Sequence, residues 1–139
     1  MGIYRGHCHC GALEFEYQTA LDPAVWSVRA CQCSYCRAHG GVYTSDPAGS
    51  LRFTHRNPAQ LSRYRFGHQT AEFIFCAHCG GYLGAVTQTD HRRLAVINIH
   101  AMDPQPGGLP EPQPISYDGE TSDTRDFRRA VRWTPVLDA

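Results

Sequence analysis

Seven cysteines fall into three tight groups, and their spacing limits the fold more than any other feature of this 139-residue chain. The groups are CHC at Cys8 and Cys10, CQCSYC at Cys31, Cys33 and Cys36, and CAHC at Cys76 and Cys79. In extended backbone, residues two apart project to the same side, so a C-x-C pair presents two thiolates to one ion without turning the chain. C-x-x-C needs a tight turn instead, and Gly80 and Gly81 follow CAHC to supply it. Joining CHC to CAHC gives four sulfurs and no open position. The result is a structural zinc site tying the N-terminal strand to a hairpin more than sixty residues later. In small zinc peptides such a staple contributes on the order of 10–16 kcal/mol, which rivals the whole net stability of a small domain.

The middle group combines both clip geometries and places Cys31, Cys33 and Cys36 around one ion with one coordination position left over. Catalytic zinc sites use three protein ligands and keep the fourth position for water or substrate, whereas structural sites close it. The trio is therefore expected to hold a second, accessible zinc whose fourth position takes solvent, a substrate sulfur or a substrate oxygen. This looser site is also expected to be only partly filled in some preparations. Free buried cysteines would leave two C-x-C pairs and a C-x-x-C unexplained, and the spacing matches neither ferredoxin pattern of iron–sulfur ligation. An odd cysteine count, close pairs and no signal-like apolar run favour metal ligation in a reducing compartment over a disulfide framework.

Between the clusters, short runs with two-residue alternation recur among Gly, Pro, Asn and Asp, and long amphipathic helices are missing. In LEFEYQ, Leu13, Phe15 and Tyr17 share one face while Glu14 and Glu16 meet water. Further strands are expected in VWSVRAC, GVYTS, SLRFT, SRYRF, AEFIFC, YLGAVTQ and LAVINI. The expectation is one all-β domain over residues 1–139. In DPQPGGLPEPQP five of twelve residues are Pro, which reads as an extended surface connector. The last segment, DTRDFRRAVRW, reads either as a short helix with Phe127, Val131 and Ala130 inward or as a covering loop closed by Trp133.

Thirteen basic residues, all Arg, balance thirteen acidic ones, so no electrostatic footprint points to nucleic acid or an acidic membrane. No segment approaches the roughly 20 apolar residues of a membrane span. The expectation is a soluble, cytoplasmic protein whose partners are small molecules. His9 and His78, between paired cysteines, should point away from the metals their neighbours bind. The FGHQTAEF passage, with His68 and Thr70, either lines the cleft or, the preferred reading, simply connects strands. Most aromatic side chains belong to the core, with one or two walling the cleft.

The passages GHCHCGALEF, CQCSYCRAHGG, FIFCAHCGGYL and INIHAMDP, in that order, resemble the glutathione-dependent formaldehyde-activating enzymes and their centromere-protein-V-like relatives. The resemblance implies a compact all-β fold of the Mss4-like, or β-tent, type. It also implies two zinc sites, with Cys8, Cys10, Cys76 and Cys79 as structural ligands and Cys31, Cys33 and Cys36 as catalytic ones. The implied activity is that of a carbon–sulfur lyase acting on a thiol–aldehyde adduct, S-hydroxymethylglutathione, made from glutathione and formaldehyde. Arg37 would then pair with a glutathione carboxylate, and His39 would transfer protons or complete the zinc shell, although an ordinary surface role is the simpler reading of both. Two non-catalytic alternatives stand beside this one: a zinc-stapled binding module, and a sensor whose trio oxidises and expels its metal.

Overall fold

A computed structural model describes residues 1–66, 70–89 and 91–137. Among these residues, eleven strands and two α-helices follow one another as β1 (Gly2–His7), β2 (Leu13–Thr19), β3 (Arg29–Cys31), α1 (Ser34–His39), β4 (Val42–Thr44), β5 (Ser50–His55), β6 (Leu61–Tyr64), β7 (Glu72–Cys76), β8 (Tyr82–Gln88), β9 (Arg93–Asn98), β10 (Gln113–Ile115), α2 (Ser122–Arg132) and β11 (Thr134–Pro135). A small antiparallel sheet has the order β1-β2-β5. A larger one runs β10-β3-β4-β9-β8-β7-β6, with β11 paired to β9. The all-β architecture expected from the alternating runs is the one observed. No helix among the described residues is long and apolar enough to cross a membrane.

The large sheet is covered on both faces, and its central strands show why their sequences look continuous rather than alternating. Ala95 and Ile97 of β9 pack with Leu13, Phe15, Tyr17 and Leu51 of the small sheet, while Leu94 and Val96 join a second cluster on the opposite face with Cys36, Tyr43 and Trp133. A strand buried on both sides needs apolar side chains at every position, at about 1.5–3 kcal/mol for each large one buried. The register between β7 and β8 slips between Ile74 and Phe75. Tyr82 and Ala85, an odd number of residues apart, consequently both join the second cluster. Such an irregularity re-aims a side chain, and the one re-aimed here is Tyr82, whose hydroxyl meets that of Tyr43 beside Cys36 of the cysteine trio.

Three elements depart from the pattern in the sequence. In VWSVRAC only Arg29–Cys31 is strand, because Trp26 leaves the sheet to pack edge-on against Tyr4 and Tyr17, at 4.8 and 5.5 Å between ring centroids. The Pro-rich connector ends in a strand: β10 pairs in parallel with β3, its Gln113 N–H donating to Val28 O at 3.0 Å. Pro114 is tolerated because β10 lies at the sheet edge. The C-terminal segment does form a helix, yet its inward face is not the apolar one. Phe127 is 70% and Val131 46% exposed, whereas Arg125 is 9% exposed. Helix phase is set by the anchored ends. Thr121 and Thr124 exchange capping hydrogen bonds at the start, and Trp133 is buried at the end. Counting back from Trp133 in steps of four brings Arg129 and Arg125 to the same side.

Candidate active site

The four-sulfur cluster forms where two hairpins meet. Cys8 and Cys10 occupy the β1–β2 turn, with Cys8 N–H donating to Leu13 O at 3.0 Å; Cys76 ends β7 and Cys79 lies in the β7–β8 turn. Gly80 has φ +78°, which turns the chain so that its N–H reaches Cys76 O at 2.8 Å. Gly81 is needed for another reason: a Cβ there would stand 2.7 Å from Cys8 Cβ. Without side chains at that point, the hairpins close until all four Sγ atoms lie within 4.8 Å of one another. Cys8 and Cys10 are 3.7 Å apart at sulfur, as are Cys10 and Cys76. Four sulfurs each about 2.3 Å from a tetrahedral zinc stand about 3.8 Å from one another, so the donor set and its spacing fit that ion. Backbone N–H groups of Leu13, His78 and Cys79 point at the sulfurs of Cys8 and Cys76 at 3.3 to 3.5 Å, the usual means of stabilising thiolate charge. The side chains of His9 and His78 are exposed and are not among the cluster's donor atoms.

The trio lies on the opposite face of the large sheet. Cys31 ends β3, Cys33 caps α1 by accepting from Cys36 N–H at 3.4 Å, and Cys36 sits in the first turn of the helix. Their Sγ atoms also lie within 4.8 Å of one another, so the trio too could hold a metal ion. Unlike the tetrad, these three sulfurs line a cavity of about 330 Å³. The hydrogen bond with Cys36 pulls the Cys31 thiol down to about 6, while the same bond, together with burial, pushes Cys36 up. Cys36 Sγ is 2.9 Å from the Tyr43 hydroxyl, which in turn is 2.6 Å from that of Tyr82. Burial raises both phenols far above their ordinary range. They remain neutral, and in the Cys36–Tyr43 pair either the thiol or the hydroxyl can donate.

The other residues singled out in the sequence are placed unevenly. Arg37 is exposed on α1 and lies outside the wall of the trio's cavity. His39 is also outside it: its ring stacks on Tyr35 at 4.1 Å, and its Nδ1 is 3.0 Å from the Tyr35 carbonyl oxygen. Thr70 does line the cavity, with Phe66, Phe73 and Trp133. His68 lies outside the described residues. The residues that sequence reasoning missed are Tyr43 and Tyr82, hidden in apolar strands, and the arginines Arg29, Arg125, Arg128 and Arg129 in the cavity wall. The position of Trp133, four residues after Arg129, was the one local signal for the helix arginines.

An all-β scaffold with one four-sulfur cluster and one three-sulfur cluster on a cavity, each with the donors that could hold a metal ion, defines a cysteine-rich sheet protein. Its residues 3–116 match the model of the family named glutathione-dependent formaldehyde-activating enzyme, and the chain belongs to that family. A crystal structure of a Rhodobacter sphaeroides protein, a structural-genomics target, is similar with a TM-score of 0.59 and 29% identity, covering 74% of this chain and 91% of that one. The family match ends before α2 begins.

Proposed function

We propose that this chain makes or breaks the bond between a thiol sulfur and an aldehyde carbon, with glutathione and formaldehyde joining as S-hydroxymethylglutathione. The proposal assigns Cys31, Cys33 and Cys36 as ligands of a reactive zinc and Cys8, Cys10, Cys76 and Cys79 as ligands of a structural one. The observation carrying it is that three converging sulfurs open onto a cavity while the other four form a complete set. Zinc at the trio would supply positive charge that favours the deprotonated form of an incoming thiol.

The chain's own residues do the rest. Cys33 at the start of α1 and Cys36 one turn on are locked in place by the cap hydrogen bond and by the Tyr82–Tyr43–Cys36 chain of hydroxyls and sulfur. Phe66, Phe73 and Trp133 narrow the apolar part of the cavity and limit water around the reacting atoms. In the forward direction the sulfur–carbon bond forms as the carbonyl π bond breaks, and the proton lost by the thiol ends on the new hydroxyl. The test compares adduct formation, above its spontaneous rate, in wild type and Cys33→Ser of known metal content. Equal rates in the two proteins, or no acceleration by wild type, would remove the proposal.

A further inference from the structure

Four arginines line the trio's cavity, Arg29 from β3 and Arg125, Arg128 and Arg129 from α2. Arg128 is already committed: its Nε and Nη2 reach both Glu120 oxygens at 2.8 and 3.0 Å, its guanidinium lies over the Tyr117 ring, and its charge also acts on Cys31. Among the described residues, the other three have no such hydrogen-bonded carboxylate partner. Arg29 donates to the hydroxyls of Ser27 and Ser45 at 3.0 and 2.8 Å. Arg129 donates to Thr70 Oγ1 at 2.9 Å and lies over the Trp133 ring. Arg125 has an oxygen of the exposed Asp126 at 3.7 Å from its Nε, too far for a hydrogen bond. The Nε atoms of Arg125 and Arg129 are both buried without a hydrogen-bond partner among the described residues.

Burying guanidinium groups beside neutral partners is destabilising. Burial above all lowers the pKa of Arg29, and burial followed by repulsion from Arg128 and Arg125 lowers Arg129 to about 10. Both stay charged at neutral pH. A fold keeps such a cluster where an anion from outside offsets the cost, and a guanidinium fork matches the two oxygens of a carboxylate. Of the two acidic residues in the wall, Glu120 is neutralised by Arg128 and Asp118 is exposed.

We propose that Arg125 and Arg129, backed by Arg29, form a carboxylate-binding site in the cavity wall that selects carboxylate-bearing thiols and directs their sulfur to the trio. The inference rests on reading the cavity as a thiol site. It adds a specificity element carried by a helix outside the residues that match the family.

The test uses S-methylglutathione, which keeps both carboxylates but has no free thiol, and its diethyl ester, which has neither charge. Both are titrated calorimetrically into metal-loaded wild type, Arg125→Met, Arg125→Lys and Arg129→Gln. Wild type is expected to bind the acid at least about tenfold more tightly than the ester. Arg125→Met and Arg129→Gln should each lose about tenfold to a hundredfold for the acid and little for the ester, with Arg125→Lys in between. Arg125→Met should also melt no lower than wild type, since it removes a buried charge lacking a hydrogen-bonded carboxylate, whereas a merely structural arginine would lower the melting temperature when lost. Equal affinity for acid and ester, no binding of the acid, or unchanged acid affinity in both Arg125→Met and Arg129→Gln would overturn the inference. Arginine-dependent binding without any adduct formation would sink the thiol–aldehyde reading and leave the carboxylate site standing. Adduct formation indifferent to all three substitutions would do the reverse.

Discussion

The two cysteine clusters share their sulfur donors and a close spacing, yet they differ in what surrounds them. Each gathers its sulfurs within 4.8 Å. Burial does not separate them, because Cys10 of the tetrad is exposed and Cys36 of the trio is buried. What separates them is the number of sulfurs and the space in front. The tetrad brings together two hairpins, one from each sheet, across the gap that Gly81 keeps free. The trio arises from one continuous stretch, Cys31 to Cys36, so it ties no distant segments together and faces a cavity instead. On the proposed reading, a local cluster is free for chemistry, while loss of a long-range cluster is expected to cost the fold.

The sharpest way to break this comparison is to remove one sulfur from each side. Cys76→Ser, at a fully buried cysteine of the tetrad, should lose most of the protein's net stability and leave little folded material by circular dichroism. Cys33→Ser should keep the β-sheet spectrum and lose catalysis by about a hundredfold or more. Equal unfolding in the two variants would erase the distinction. A chelator titration followed by metal analysis sharpens it further, with the trio's ion expected to leave first; simultaneous release at one affinity would count against the division.

Smaller effects are expected from the supports. Gly81→Ala places a methyl against Cys8 and should destabilise by about 1–3 kcal/mol in denaturant titration, with weaker metal retention at the tetrad alone. Tyr43→Phe leaves the buried Tyr82 hydroxyl without its partner and should cost about 1–3 kcal/mol, with lowered activity that reports on Cys36. The smallest effect concerns α2. The Arg128 guanidinium holds the Glu120 carboxyl below its ordinary 4.5, so the pair stabilises the folded protein above that value. The contribution is lost as pH falls through the lowered folded value. Glu120→Gln should flatten the pH dependence of melting in that acid window and leave neutral pH nearly unchanged; an identical acid profile would show that the pair does not anchor the helix.

Much of the scaffold was legible in local patterns, and the exceptions have physical causes. LEFEYQ alternates because one face of β2 meets water, whereas the runs in β8 and β9 lose alternation because both faces are covered. The strands β1, β10 and β11 gave weak signals. Gly2 and Gly6 dilute the first, Pro114 interrupts the second, and the third is two residues long. The apolar residues of α2 misled for a related reason: Phe127 and Val131 stand out as a stripe, but the anchored ends turn the helix the other way.

Sequence alone determined the grouping of the cysteines, because C-x-C and C-x-x-C spacing is a matter of local backbone geometry and holds wherever the chain goes. It also determined the all-β class, since side-chain alternation with period two is equally local. Tertiary structure decided which cysteines line a cavity, that Tyr82 is linked to Cys36 through Tyr43, and that Arg29, Arg125, Arg128 and Arg129 rather than Arg37 and His39 wall the cavity. Those outcomes depend on a register slip and on the rotation of a helix fixed at both ends, quantities set by contacts between segments far apart in the chain.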